Sequence, residues 1–234
     1  MEAIVLAGGF GTRLQTVVND LPKSMALINH RPFLEYQLDF LIKQGITRVV
    51  LSVGYMRQHI IKHFKNQYKS LEIDYAVEEE PLGTGGGIRL SFWKINGQRA
   101  FAMNGDSLFR LDYGQMLARH LKNKAVATLA LRKLVNTSRY GRVSLNRNKR
   151  IIGFAEKNEL TGPGYINGGV YILEKSLLME PEFRGKFSIE KDYFEKHYMD
   201  HRMFGFPSAG YFLDIGIPAD YKKAQHDFAG FKDR

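Results

Sequence analysis

Residues 3–14 read AIVLAGGFGTRL, a short apolar run that breaks into Gly8, Gly9 and Gly11 and ends on Thr12, Arg13 and Leu14. Residues 3–7 have the composition of a buried strand in a parallel sheet. The glycines that follow lack Cβ atoms, so the backbone can take positive φ and a ligand can approach it closely. Peptide N–H groups turned into such a loop, beside the guanidinium of Arg13, suit an anion, and phosphate above all. Two familiar nucleotide motifs do not fit. A dinucleotide fingerprint opened at Gly9 meets Leu14 where its third glycine belongs, and no acidic residue closes the next apolar run, 49–53. A P-loop opened at Gly8 needs glycine then lysine where the chain has Arg13 and Leu14. A ligand-free strand-to-helix turn stays open as the alternative.

Outward from this turn, strand-like and helix-like segments alternate. Residues 32–44 (PFLEYQLDFLIKQ) carry apolar side chains at helical spacing, with proline at the start and Gly45 just past the end. Residues 48–53 (RVVLSV) and 72–77 (EIDYAV) read as strands, with a helix over 56–64 between them. EEEPLGTGGG, 78–87, reads as a second glycine-rich loop, then a helix over 88–93 leads to a strand over 100–103 that ends at NGD, 104–106. This order predicts an α/β fold, a doubly wound and mostly parallel sheet with helices on both faces. Ligands on such sheets bind beyond the carboxyl ends of the strands, so the glycine turn, EEEPLGTGG and NGD should share one crevice. Beyond residue 110 strands are expected at 126–132, 142–145, 151–155, 165–173 and 210–213, with helices over 111–121, 189–198 and 218–228. They read as a continuation of the same sheet with a lid-like subregion. No low-complexity linker or repeat divides the chain, so 1–234 is read as one domain in two halves, 1–110 and 111–234.

The chain has 234 residues, 44% hydrophobic and 25% charged, as in soluble globular proteins. It has no cysteine, which excludes disulfides and thiolate metal sites and fits a reducing cytoplasm. The first apolar run stops at Gly8, too soon for a signal peptide, and no stretch is long enough to span a bilayer. The net charge of +10 admits nucleic acid, a membrane surface or polyanionic small substrates. Lys and Arg are scattered and no nucleic-acid motif is visible, which leaves small phosphorylated substrates as the expected partners, with no nucleic acid and no membrane. Homo-oligomerisation stays open.

GGFGTRL, PKSM, EPLGTGG, NGD, AEK, INGG and FLDIGIPADY, in this order over residues 1 to about 225, resemble the sugar-1-phosphate nucleotidyltransferases, most of all the guanylyltransferases of mannose and of D-glycero-D-manno-heptose 1-phosphates. The resemblance implies a Rossmann-like fold and Mg²⁺-dependent transfer of a nucleotidyl group, here GMP from GTP, to a sugar 1-phosphate with release of pyrophosphate. It assigns the nucleotide to the first half of the chain and the sugar phosphate to the second. The hexapeptide-repeat β-helix of longer members is not expected. Elementary chemistry agrees: in-line attack of one phosphate on another is catalysed by positioning and charge neutralisation, with no side-chain nucleophile.

Residue roles follow. Leu6, Ala7, Gly8, Gly9, Gly11, Thr12 and Gly105 would present backbone to the nucleotide, and Arg13 would neutralise its β- and γ-phosphates. Lys23, in LPKSM, matches the family's catalytic lysine, although Ser24 and Thr16 stand where the family usually has proline. Asp106 and Asp214 close apolar runs and offer the hard oxygen ligands that suit Mg²⁺; an Asx turn at Asp106 and a helix cap at Asp214 are the alternatives. Guanine presents two adjacent donors, which one carboxylate can accept together. Of the glutamates beside Gly83 and Thr84, Glu80 is favoured as the reader and Glu78 is the reserve. For the sugar phosphate the resemblance points to Gly141, Glu156, Lys157, Asn167 and Gly168. A salt bridge at Glu156 and a β-bulge at Asn167 are the competing readings. His59 and His63 have helical spacing but lack the glutamate of the zinc motif. A non-catalytic nucleotide-sugar sensor is disfavoured because Arg13, Lys23, Asp106 and Asp214 are all present.

Overall fold

A computed structural model describes residues 1–9, 14, 20–138, 140–156 and 162–229. The opening apolar run becomes β1 (Glu2–Leu6), followed by β2 (Leu27–Ile28), β3 (Arg31–Pro32), α1 (Phe33–Lys43), β4 (Arg48–Val53), α2 (Arg57–Phe64), β5 (Gln67–Tyr68) and β6 (Leu71–Val77). Then come α3 (Gly83–Phe92), β7 (Arg99–Asn104), β8 (Ser107–Phe109), α4 (Tyr113–Lys122), β9 (Ala127–Leu134), β10 (Arg142–Leu145), β11 (Ile151–Ala155) and β12 (Gly164–Glu174). A π-helical turn (Ile189–Phe194) runs into α5 (Glu195–His197), and β13 (Met203–Ser208), β14 (Phe212–Asp214) and α6 (Pro218–Phe228) complete the described chain.

β1 is apolar from Ala3 to Leu6 because helices cover both faces of the sheet. Ala3 and Val5 join Leu34, Leu38 and Leu41 of α1 on one side, while Ile4 joins Ile88 and Phe92 of α3 on the other. β6, β4, β1 and β7 lie side by side and parallel, with Ala3 opposite Val49 and Phe101. β12 reverses direction beside β7, and β9, antiparallel to β12, pairs in parallel with β13. One sheet therefore crosses residue 110, joining both halves of the chain. Among the described residues no helix is long and apolar enough to cross a membrane.

Three expectations change. Helix α3 begins at Gly83, five residues before the expected start, so the glycine-rich segment is largely helical. Glycine disfavours helix intrinsically, but packing overrides that: a Cβ on Gly85 would lie 2.1 Å from the Phe187 ring, and one on Gly86 2.6 Å from the carbonyl oxygen of Gly185. The expected strand at 210–213 is β14, and it leaves the main sheet to pair with β8, Leu213 opposite Leu108. The expected helix over 189–198 opens with the π-helical turn, where Ser188 caps the first turn by accepting from the N–H of Lys191.

Candidate active site

A cavity of about 350 Å³ opens at the carboxyl ends of the parallel strands. Leu6, Ala7, Gly8 and Gly9 enter it from β1, Glu78, Pro81, Gly83 and Thr84 from the β6–α3 connection, and Asn104, Gly105 and Asp106 from β7; Lys23, Ser24 and Gly216 complete the lining. Backbone bonds hold these segments in place: the N–H of Gly105 donates to Leu6 O at 2.9 Å, and β4 bridges the other two, its Val53 O accepting from the Glu78 N–H at 2.8 Å and its Ser52 O from the Ala7 N–H at 2.8 Å. A Cβ on Gly105 would sit 2.6 Å from Leu6 O, so only glycine lets β1 and the NGD turn approach this closely. Gly11, Thr12, Arg13 and Lys157 lie outside the described residues.

Lys23 opens a single 3₁₀ turn, Lys23–Met25, and its Nζ donates to Asp106 Oδ2 at 2.5 Å with Asp214 Oδ1 at 3.9 Å. The chain brings these two distant carboxylates together through the β8–β14 pair, in which Ser107 faces Asp214, and through a bond from the N–H of Ile215 to Asp106 O at 2.9 Å. Asp214 is not the cap of α6, whose first turn has no side-chain cap; its Oδ1 accepts from the Gly216 N–H at 2.6 Å. Among the described residues no group of three or more acidic, His or Cys side chains gathers as a metal site. Two convergent carboxylates beside a glycine-walled cavity still fit Mg²⁺, which takes one or two carboxylates and fills its other positions with phosphate oxygens and water. Ser24 is buried in the lining, and its Oγ has no partner among the described residues.

Glu80, the favoured base reader, is exposed beyond the lining, because Pro81 turns the chain inward only after it. Glu79 is also exposed and pairs with Arg57 at 3.1 Å. Glu78 faces the cavity: Oε1 accepts from Ser52 Oγ at 2.7 Å and Oε2 from the Leu82 N–H at 3.0 Å. A carboxylate has about four acceptor positions, so these bonds fix Glu78 and leave capacity for a ligand.

Of the expected sugar-phosphate residues, the described ones, Gly141, Glu156, Asn167 and Gly168, stand apart from this lining. Glu156 is exposed and pairs with Lys191 at 3.2 Å, the surface ion pair weighed as its alternative. Gly141 packs its backbone against Ala155, with 3.0 Å between a built Cβ and the Ala155 oxygen. Asn167 sits at a register shift in β12, so the bulge reading holds there. Gly168 packs on Phe109, and Gly169, at φ +67°, packs on Asn104 of the cavity wall. Sequence reasoning missed two residues behind these. Tyr171 donates its hydroxyl to Glu190 Oε1 at 3.0 Å and accepts from Asn167 Nδ2 at 2.8 Å. Burial, and then the charge of Glu190, push the Tyr171 hydroxyl well above its ordinary pKa, so it stays protonated. The INGG motif marks the bulge, but nothing local in sequence marks Glu190.

A cavity walled by glycine backbone, an ammonium shared by two carboxylates and the inward-held carboxylate of Glu78 meet at the carboxyl ends of the parallel strands. Residues 2–230 match the nucleotidyl transferase family. The chain belongs to that family. It is thus a nucleotidyl-transferring enzyme, and its relatives include D-glycero-alpha-D-manno-heptose 1-phosphate guanylyltransferase from Aneurinibacillus thermoaerophilus, 46% identical over 97% of this chain and 98% of that one. Mannose-1-phosphate guanylyltransferase from Mycobacterium tuberculosis is 32% identical over 97% of this chain, which spans 64% of that protein's length. The crystal structure of HddC from Yersinia pseudotuberculosis complexed with GMP-PN superposes with a TM-score of 0.85 at 35% identity, over 97% of this chain and 99% of that one.

Proposed function

We propose that this family member transfers GMP from GTP to a sugar 1-phosphate, with D-glycero-α-D-manno-heptose 1-phosphate as the preferred acceptor, and releases pyrophosphate. The observation that carries the reading is the position of Lys23 Nζ between Asp106 and Asp214 at the edge of a glycine-walled cavity. The guanylyltransferase relatives and the GMP-PN complex of HddC support guanine as the base and heptose as the sugar.

In this reading the backbone of Leu6, Ala7, Gly8, Gly9 and Gly105 holds the nucleotide, with Gly11, Thr12 and Arg13 continuing the phosphate loop. Glu78, rather than Glu80, accepts from the guanine N–H donors beside Gly83 and Thr84. The sugar phosphate attacks the α-phosphorus in line with the departing pyrophosphate. Lys23 then shifts its ammonium from Asp106 toward the transferring phosphoryl oxygens, where charge accumulates. Asp106 and Asp214 would hold Mg²⁺, which when bound supplies further positive charge to those oxygens. Gly141, Glu156, Lys157, Asn167 and Gly168 are assigned to the sugar phosphate, which requires Glu156 to exchange Lys191 for substrate. A cytoplasmic setting goes with nucleotide substrates and a cysteine-free chain. Release of pyrophosphate from GTP only when heptose 1-phosphate is present tests the proposal; GTP left intact with every sugar 1-phosphate would overturn it.

A further inference from the structure

Glu190 lies on the π-helical turn and bonds in two directions. Its Oε2 accepts from Thr84 Oγ1 at 2.6 Å and from Ser188 Oγ at 2.8 Å, while its Oε1 accepts from the Tyr171 hydroxyl at 3.0 Å. Thr84 lines the nucleotide cavity on the first turn of α3, and its Oγ1 also accepts from the Ile189 N–H at 2.9 Å. On the other side Tyr171 accepts from Asn167 Nδ2 at 2.8 Å, and Asn167 Oδ1 accepts from the Gly169 N–H at 2.9 Å. One unbroken chain therefore runs from the cavity wall to the bulge of β12. π-Helical turns are rare and recur where function needs a displaced side chain.

The chain has a direction. An ionised carboxylate only accepts, so Glu190 makes donors of both the Thr84 and the Tyr171 hydroxyls. With its proton committed, the Tyr171 oxygen is left to accept from the Asn167 amide. That orients the amide nitrogen of Asn167 to Tyr171 and its oxygen to Gly169. Tyr171 is fully buried, so water does not compete for these bonds.

We propose that Glu190 is a positioning residue that couples the nucleotide site to the sugar-phosphate site, setting Thr84 on one side and, through Tyr171, the amide of Asn167 on the other. This inference rests on the guanylyltransferase reading above and adds a residue that touches neither substrate. Its consequence is a division of labour that mere structural support does not produce. Loss of the Tyr171 hydroxyl cuts only the branch to Asn167. Loss of the Glu190 charge disturbs both branches, because a glutamine nitrogen donates where Thr84 or Tyr171 already donates.

The test is initial-rate kinetics with GTP and D-glycero-α-D-manno-heptose 1-phosphate varied against each other, for wild type, Tyr171→Phe, Glu190→Gln and the double variant. Tyr171→Phe keeps the ring in the core and is expected to raise the KM for sugar phosphate at least about fivefold, with the GTP KM held within about twofold. Glu190→Gln is expected to raise both KM values at least about fivefold. The double variant should be no worse for the sugar phosphate than Glu190→Gln alone, since one chain carries both effects. Unchanged KM values, or equal shifts for both substrates in Tyr171→Phe, overturn the coupling while wild-type turnover leaves the functional reading standing. Wild type that is inactive with every triphosphate and sugar 1-phosphate overturns the functional reading and this inference with it.

Discussion

Lys23 Nζ bonds to Asp106 Oδ2 at 2.5 Å although 83 positions separate the two residues. The contact exists because β7 and the Lys23–Met25 turn meet at the cavity, and Asp214 completes the group at 3.9 Å. Lys23 here neutralises the carboxylates, whereas the proposed reaction requires it at the phosphates. Lys23→Ala is expected to cost about 3 kcal/mol or more in transition-state stabilisation with a smaller change in the GTP KM. Asp106→Asn and Asp214→Asn are each expected to lower kcat at least about a hundredfold, since an amide lacks the charge a divalent cation needs. Full wild-type activity in excess chelator, or near-normal kcat in both aspartate variants, would contradict the metal assignment.

Base selection should depend on Glu78 and not on Glu80. Glu78 is held toward the cavity by Ser52 and the Leu82 N–H, whereas Glu80 faces solvent. Glu78→Gln is expected to weaken use of GTP by about 1.5–3 kcal/mol, the scale of a hydrogen bond to a charged group, with UTP and dTTP much less affected. Glu80→Gln should leave the preference among triphosphates unchanged. Competition assays with mixed triphosphates read this directly, and the opposite ranking of the two variants would restore Glu80 as the reader.

Gly86 offers a test of the packing that makes α3 start early. Alanine in a helix interior normally gains about 1 kcal/mol over glycine. Here an added Cβ would lie 2.6 Å from Gly185 O and 2.7 Å from Leu82 Cβ. Gly86→Ala is therefore expected to lower stability by about 1–3 kcal/mol, as overpacking does. Urea unfolding that shows the variant more stable than wild type would mean that the 185–188 segment does not dock on α3 in this way.

Acid should weaken a second cluster, away from the cavity. Burial by itself would raise the carboxyls of Glu35 and Asp39, but hydrogen bonds outweigh it: Lys69 and Arg31 hold Asp39 below its ordinary pKa, and Arg31 and His63 do the same for Glu35. A carboxyl whose folded pKa is depressed contributes stability above its unfolded pKa, near 4, and loses it as pH falls through the folded value. Asp39→Asn should thus cost about 1.5–3 kcal/mol at neutral pH. The gap from wild type should narrow as pH falls below about 4. Chemical denaturation at several pH values measures the gap, and a gap independent of pH would contradict the ionic origin of the cluster's stability.

The strand runs 48–53, 142–145 and 151–155 were legible to the residue, because β-branched and apolar side chains bounded by turn residues leave little choice. Pro218 marked the start of α6 as clearly, since proline is tolerated at a first helical position. The cavity could be foreseen from three motifs that each follow a strand, given the rule for parallel sheets. What escaped depended on distant partners. Gly85 and Gly86 read as loop because Phe187 and Gly185, which leave no room for a Cβ there, are about a hundred positions away. Glu78 and Glu80 are indistinguishable locally; Ser52, on the neighbouring strand, decides between them. Glu190 carries no motif of its own, and its bonds to Thr84 and Tyr171 arise only once the π-helical turn has packed against α3 and β12.

The proposed activity is guanylyl transfer to a manno-configured heptose 1-phosphate. A panel of GTP, ATP, UTP, CTP and dTTP, each with heptose, mannose and glucose 1-phosphates and Mg²⁺, with pyrophosphate release as the signal, tests it most directly. The highest kcat/KM is expected for GTP with D-glycero-α-D-manno-heptose 1-phosphate, and the product should be the corresponding GDP-sugar. Pyrophosphate released fastest from another triphosphate, or from no pairing of triphosphate and sugar, would contradict it.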